Sequence, residues 1–64
     1  MKERILKDFQ AKKSGVFTID YRELSEYYNI DRLEIINIVR QLVSDGFLSI
    51  DKEVLGGALI IVKE

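Results

Sequence analysis

Apolar and polar residues recur along the chain with two different periods, and the changes of period divide it into six segments. From Lys2 to Lys13, Ile5, Leu6 and Phe9 recur at helical spacing with charged residues between them, which predicts an amphipathic helix. Lys12 and Lys13 would fill its last turn, where cations suit the helix dipole, and Gly15 would stop it. Val16-Phe17-Thr18-Ile19 is a short β-prone run and reads as a brief strand. Asp20, with Glu23 three positions on, has capping-box spacing, Asp standing in for the usual Ser or Thr. It opens a second helix through Tyr28, and Asn29, which tolerates a left-handed backbone, ends it.

Asp31 and Glu34 repeat the capping spacing and open a third helix over residues 31–45. Ile35, Ile38, Val39, Leu42 and Val43 share one face of it, and Asp45-Gly46 closes it. Two helix starts eleven residues apart, with Asn29-Ile30 between them, describe a tight helix-turn-helix. Phe47-Leu48-Ser49-Ile50 and Ala58-Leu59-Ile60-Ile61-Val62 then read as strands, and Gly56-Gly57 favours a positive-φ hairpin turn between them. The predicted fold class is α+β, in the order α-β-α-α-β-β, as one domain over residues 1–64. The last strand is apolar on both faces, so it is either an edge open to another chain or covered by neighbouring strands. Tyr21, Tyr27 and Tyr28 lie at helical spacing with Leu24 and are expected in the core, with Tyr21 half exposed; the other use for such rings is stacking on bases.

Composition narrows the chemistry. A chain of 64 residues buries only about 60% of the surface it exposes when unfolded, so its core is marginal. It has neither cysteine nor histidine, which removes a disulfide and the usual zinc ligands. The same absence leaves no evident nucleophile, base or metal ligand, and the serines have no evident activating base, so neither enzymatic activity nor a cofactor is expected. No apolar run is long enough to span a bilayer, so a cytoplasmic protein with no membrane role is expected. A homodimer through the last hairpin or the first helix would support the small core.

Charge is unevenly placed. Residues 1–13 hold five cations against two carboxylates, a balance of +3, whereas residues 20–46 hold three cations against six carboxylates, a balance of −3.

The stretch Leu24-Ser25-Glu26-Tyr27-Tyr28-Asn29-Ile30-Asp31-Arg32-Leu33-Glu34-Ile35, followed by Leu42-Val43-Ser44-Asp45-Gly46-Phe47-Leu48, resembles the winged helix-turn-helix transcription regulators. Leu24, Ser25, Ile30, Ile35, Leu42, Gly46, Phe47 and Leu48 fall on that family's pattern without a gap. The resemblance implies a double-stranded DNA-binding protein, a transcriptional or genome-maintenance regulator, with its third helix in the major groove and its hairpin, the wing, on the backbone. Carried over by position, the contacts to bases and phosphates would come from Asp31, Arg32, Leu33, Glu34, Ile36, Asn37, Arg40 and Gln41, with Lys52 on the wing. Arg and Asn side chains can read guanine and adenine through paired hydrogen bonds, and Lys12, Lys13 and Lys52 could neutralise phosphates.

Asn29 stands where the family has a turn glycine. More consequential, Leu33 and Ile36 stand where DNA readers carry Ser, Thr or basic residues, and Glu34 adds a negative charge. Two readings therefore stand side by side. In the leading one, Arg32, Asn37, Arg40 and Gln41 contact duplex DNA. In the other, Leu33 and Ile36 form an apolar patch for a protein partner within a larger assembly.

Overall fold

The computed structural model describes residues 1–12 and 15–63. Three helices, α1 (Lys2–Gln10), α2 (Tyr21–Tyr28) and α3 (Arg32–Ser44), combine with three strands, β1 (Val16–Asp20), β2 (Leu48–Val54) and β3 (Gly57–Val62). The order is α-β-α-α-β-β, an α+β fold closed by a C-terminal hairpin, as the sequence pattern predicts.

Local chemistry explains most of the boundaries. The Asp20 carboxylate accepts the Arg22 and Glu23 backbone N–H groups and so caps α2. Asp31 does the same for α3 through the Leu33 N–H, at 2.8 Å. Between these helices Asn29 takes the left-handed backbone at φ 58°, and the Ile30 N–H reaches back to the Ser25 carbonyl, at 3.1 Å. The Ser25 hydroxyl donates in turn to the Ile30 carbonyl, locking the turn from both sides. At the far end of α3, Gly46 sits at φ 88°, the Phe47 N–H bonds the Leu42 carbonyl and the Gly46 N–H bonds the Val43 carbonyl. That bond pair is a Schellman closure, which only a left-handed residue permits.

The first helix is shorter than its polar pattern suggests. It stops at Gln10, with Ala11 as a right-handed cap. Burial supplies the reason: Ile5 and Phe9 enter the core, but the next positions on that face are lysines, so no packing holds a further turn. Lys12 therefore lies beyond the helix, and the expectation for Lys13 falls outside the described residues. Gly15 is not a left-handed stop either; its carbonyl accepts the Val62 N–H at 2.7 Å, beside the first sheet pair.

The sheet order β1-β3-β2 decides between the two places open to the last strand: it is covered by a neighbour on each side. β3 is the centre, antiparallel to β1 through Val16↔Ile61 to Asp20↔Gly57 and to β2 through Leu48↔Val62 to Val54↔Gly57. Its apolar character on both faces is that of a strand with a neighbour on each side, since β1 returns from early in the chain to pair with it. The free edges belong to β1 and β2, and β2 carries an irregularity between Ile50 and Lys52 and the charged run Asp51-Lys52-Glu53. Inward charge, bulges and lysines are the usual protection of an edge.

The core is built on α3. Ile35, Ile38, Val39 and Leu42 pack against Ile5 and Phe9 of α1, Tyr28 of α2, and Ile19, Leu48, Ala58 and Ile60 of the sheet. Each fully buried aliphatic or aromatic side chain contributes about 1.5–3 kcal/mol relative to exposure. Tyr28 joins this core, and its hydroxyl donates to the Asp8 carboxylate at 2.5 Å while the Arg4 guanidinium lies 5.6 Å from the ring centre. Tyr21 is half-buried, as expected, but Tyr27 departs from expectation. It is 72% exposed and packs edge-on against Tyr28, because α2 turns the neighbouring position inward.

Candidate docking face on the third helix and hairpin

Arg32, Leu33, Glu34, Asn37, Arg40 and Gln41 are all exposed on α3, and Ile36 is half-buried. Helical spacing puts Leu33, Asn37, Arg40 and Ser44 on one ridge opposite the buried face. Ile36 and Arg32 flank that ridge on the side of the hairpin turn, and Glu34 and Gln41 flank it on the other.

The ridge borders a groove. Tyr21, Ser25, Asp31, Arg32, Leu33, Ile36 and Gly56 enclose about 530 Å³ between the start of α2, the start of α3 and the hairpin turn. The turn is held against α2 by the Tyr21 N–H, which donates to the Gly56 carbonyl at 3.0 Å. The two turn glycines act differently. Gly56 supplies the expected positive φ, 78°, whereas Gly57 lies in β3 without one. Gly57 is needed for close approach, because a Cβ there would stand 1.9 Å from the Ile19 carbonyl oxygen.

The surface beside the groove is apolar where a solvated helix would be polar. Leu33 is 70% exposed, Leu55, next to Gly56 at the turn, is fully exposed, and Val54 is also exposed. A leucine at a tight turn has no route to the core, a signal present in the sequence but masked by the glycines around it. Tyr21 and Gly56 are the other contributors that residue-by-residue reading passed over, since their place in the groove depends on the hairpin folding back on α2.

The stretch of sequence that builds this face is acidic, though its carboxylates are spread over several faces: Glu23 lines a cleft between α1 and α2, and Asp45 pairs with Lys2. From residue 20 to residue 57 the chain carries eight carboxylates against four cations, Arg22, Arg32, Arg40 and Lys52. Arg22 is engaged with Glu26 at 3.6 Å. Neither Arg32 nor Arg40 forms an ion pair with a described residue. Lys52 stands exposed on β2 between Asp51 and Glu53. Burial raises the Tyr21 hydroxyl pKa above its ordinary value and the Glu53 carboxylate adds to the rise, while Arg40 opposes it. Glu53 and Arg40 thus both act on the tyrosine that lines the groove.

The structure brings together some predicted contact residues and separates others. Arg32, Leu33 and Ile36 share the groove, and Asn37 and Arg40 share the ridge. Lys12 belongs elsewhere: its ammonium lies 5.1 Å from the Phe17 ring centre, and it lines a second cleft, between α1 and α2, with Asp8, Phe9, Glu23, Leu24, Tyr27 and Tyr28. The cations of α1 are partly committed as well, Lys2 to Asp45 at 2.5 Å and Arg4 to the Tyr28 ring. Among the described residues no helix is long and apolar enough to cross a membrane.

The chain matches no family model, and no match to it was found among curated proteins or solved structures.

Proposed function

We propose that the chain is a winged-helix domain that docks on another protein through α3 and the hairpin. The observation that carries this reading is the exposed Leu33 beside the half-buried Ile36 and the groove, with Leu55 exposed at the adjoining hairpin turn, on a stretch of chain, residues 20–57, where carboxylates outnumber cations two to one. Exposed apolar side chains clustered on one face mark contact sites more often than scattered ones do. Phosphate recognition has the opposite requirement, because counterion release by lysine and arginine supplies most nonspecific affinity for DNA.

Duplex DNA is the second reading, favoured by the exposure of Arg32, Asn37, Arg40 and Gln41 along one helix that begins after a tight turn, with Lys52 on the neighbouring hairpin. Fluorescence anisotropy with a labelled mixed-sequence duplex at low salt separates the two. The docking reading expects no saturable binding for wild type, and none for Arg40→Ala. Saturable binding that weakens with salt and is lost in Arg40→Ala would establish the DNA reading instead.

An edge-to-edge homodimer through the last hairpin would have to pair along β2, since β3 has no free edge, and the apolar residues of α1 are taken up in the core.

A further inference from the structure

The core explains one apolar face of β3 and leaves the other unexplained. Ala58 and Ile60 are buried and Val62 packs against the core. Leu59 and Ile61, which alternate with them, are half-buried but belong neither to the core nor to the residues packed on it. An antiparallel sheet with one solvated face normally alternates apolar with polar positions, and an uninterrupted apolar run is the mark of a strand covered on both faces. The register shows what surrounds the two side chains. Ile61 lies between Val16 of β1 and Ser49 of β2, and Leu59 lies between Thr18 of β1 and Lys52 of β2. Val16 is 46% exposed. The outer face of the sheet, on the side away from α3, is thus an apolar ridge along β3, widened by Val16 and bordered by two hydroxyls.

We propose that this face packs on the same face of a second copy of the chain, in a weak dimer with the two sheets antiparallel. The charges of the face itself select that occupant. The ridge is uncharged, so two copies meet there without opposing like charges. At its side Lys52 stands next to Asp51, which offsets it. The remaining charges sit at opposite ends: the exposed Asp20 closes β1 at the hairpin-turn end, and the exposed Lys63 follows β3 at the other. A two-fold axis across the strands therefore makes the face complementary to itself. Leu59 lies on the partner's Ile61, and Asp20 comes beside the partner's Lys63. An axis along β3 would instead set Lys63 against the partner's Lys63. Aligned packing of two sheets through such inner faces is a common arrangement. The face spans only three strands, about 4.8 Å apart, and is much smaller than the roughly 800 Å² that each partner gives to a standard interface. The dimer is accordingly weak, with a Kd of roughly 0.1–1 mM. It leaves the α3 face open, so it stands or falls separately from the docking reading.

The test is sedimentation equilibrium, with ¹⁵N amide spectra, of the full chain at low salt from about 20 µM to about 1 mM. Wild type is expected to move from monomer mass towards dimer mass. The amides of Ser49, Leu59 and Ile61 should shift on dilution while those of Leu33 and Asn37 stay in place. Ile61→Lys is expected to remain monomeric throughout, with the spectrum of a folded domain. Leu59→Thr, which keeps a strand-forming side chain, is expected to weaken association roughly tenfold and serves if the lysine variant does not fold. Lys63→Glu should weaken it roughly threefold at low salt and leave it unchanged at high salt. Monomer mass for wild type at about 1 mM would overturn the dimer and leave the face to a different partner. Dimer mass undiminished in Ile61→Lys and Leu59→Thr would place association on another surface and overturn this one. An undiminished dimer in Lys63→Glu at low salt would overturn the antiparallel arrangement.

Discussion

Helices α1 and α3 are both amphipathic, but they use their apolar residues differently. In α1 the large apolar side chains face inward, with Ile5 and Phe9 buried and Leu6 packed against the same core, while its cations stay outside. In α3 four apolar residues fill the centre of the core, and two more, Leu33 and Ile36, lie outside it, Leu33 almost bare. Folding accounts for every apolar residue of α1. It accounts for only part of α3, and the surplus lies where the hairpin turn adds Leu55. An apolar residue that contributes little to the core but persists on a shaped groove is more economically explained by what it touches in another molecule.

The comparison can be broken from the core side first. Leu42→Ala removes a fully buried side chain from the middle of α3 and is expected to cost about 2–5 kcal/mol. In so small a domain that should lower the thermal midpoint by well over ten degrees or prevent folding, as circular dichroism would show. Gly57→Ala comes next. Its Cβ must displace the Ile19 carbonyl or the hairpin, at about 1–3 kcal/mol, and amide NMR should show the disturbance running from β1 to the turn. A smaller loss, about 1 kcal/mol in urea unfolding, is expected for Asp31→Ala, which uncaps α3.

Alkaline pH gives a finer probe of the α1–α2 contact. Burial, and then the hydrogen bond to Asp8, raise the Tyr28 pKa well above its ordinary value of 10. The folded state therefore favours the neutral phenol, and that contribution is intact below about pH 10 and declines as pH rises beyond it. Tyr28→Phe should flatten the loss of stability above pH 10 in pH-dependent denaturation. A wild-type curve no steeper than the variant's would count against the buried Tyr28–Asp8 contact. The smallest stability effect belongs to Leu33→Ser, expected within about 0.5 kcal/mol of wild type. A much larger loss would mean that Leu33 serves the fold after all, and the contrast between the two helices would collapse.

Features set by local chemistry follow directly from the sequence. Asp20, Asp31, Asn29 and Gly46 each act through hydrogen bonds or backbone conformations within a few residues, and each stands where its type and spacing predict. Features set by distant partners do not. The end of α1 depends on what Phe9 can bury and on the absence of an apolar residue one turn later. The central place of β3 depends on β1 folding back across the chain, and the exposure of Tyr27 depends on which side of α2 meets α1. For the candidate site, the outward face of α3 could be read from helical periodicity, including Leu33 and Ile36. Its completion into a groove by Tyr21 and Gly56 could not, because that requires the hairpin to lie on α2. Lys12, which charge alone would group with the α3 cations, lies instead on an aromatic ring beside a different cleft.

The most direct test of the account is a ¹⁵N amide titration of the full chain with a short mixed-sequence DNA duplex at low and at moderate salt. The account predicts that the duplex leaves Arg32, Asn37, Arg40 and Lys52 in place at both salt concentrations. Salt-sensitive shifts of those four residues would contradict it and make α3 a DNA-reading helix.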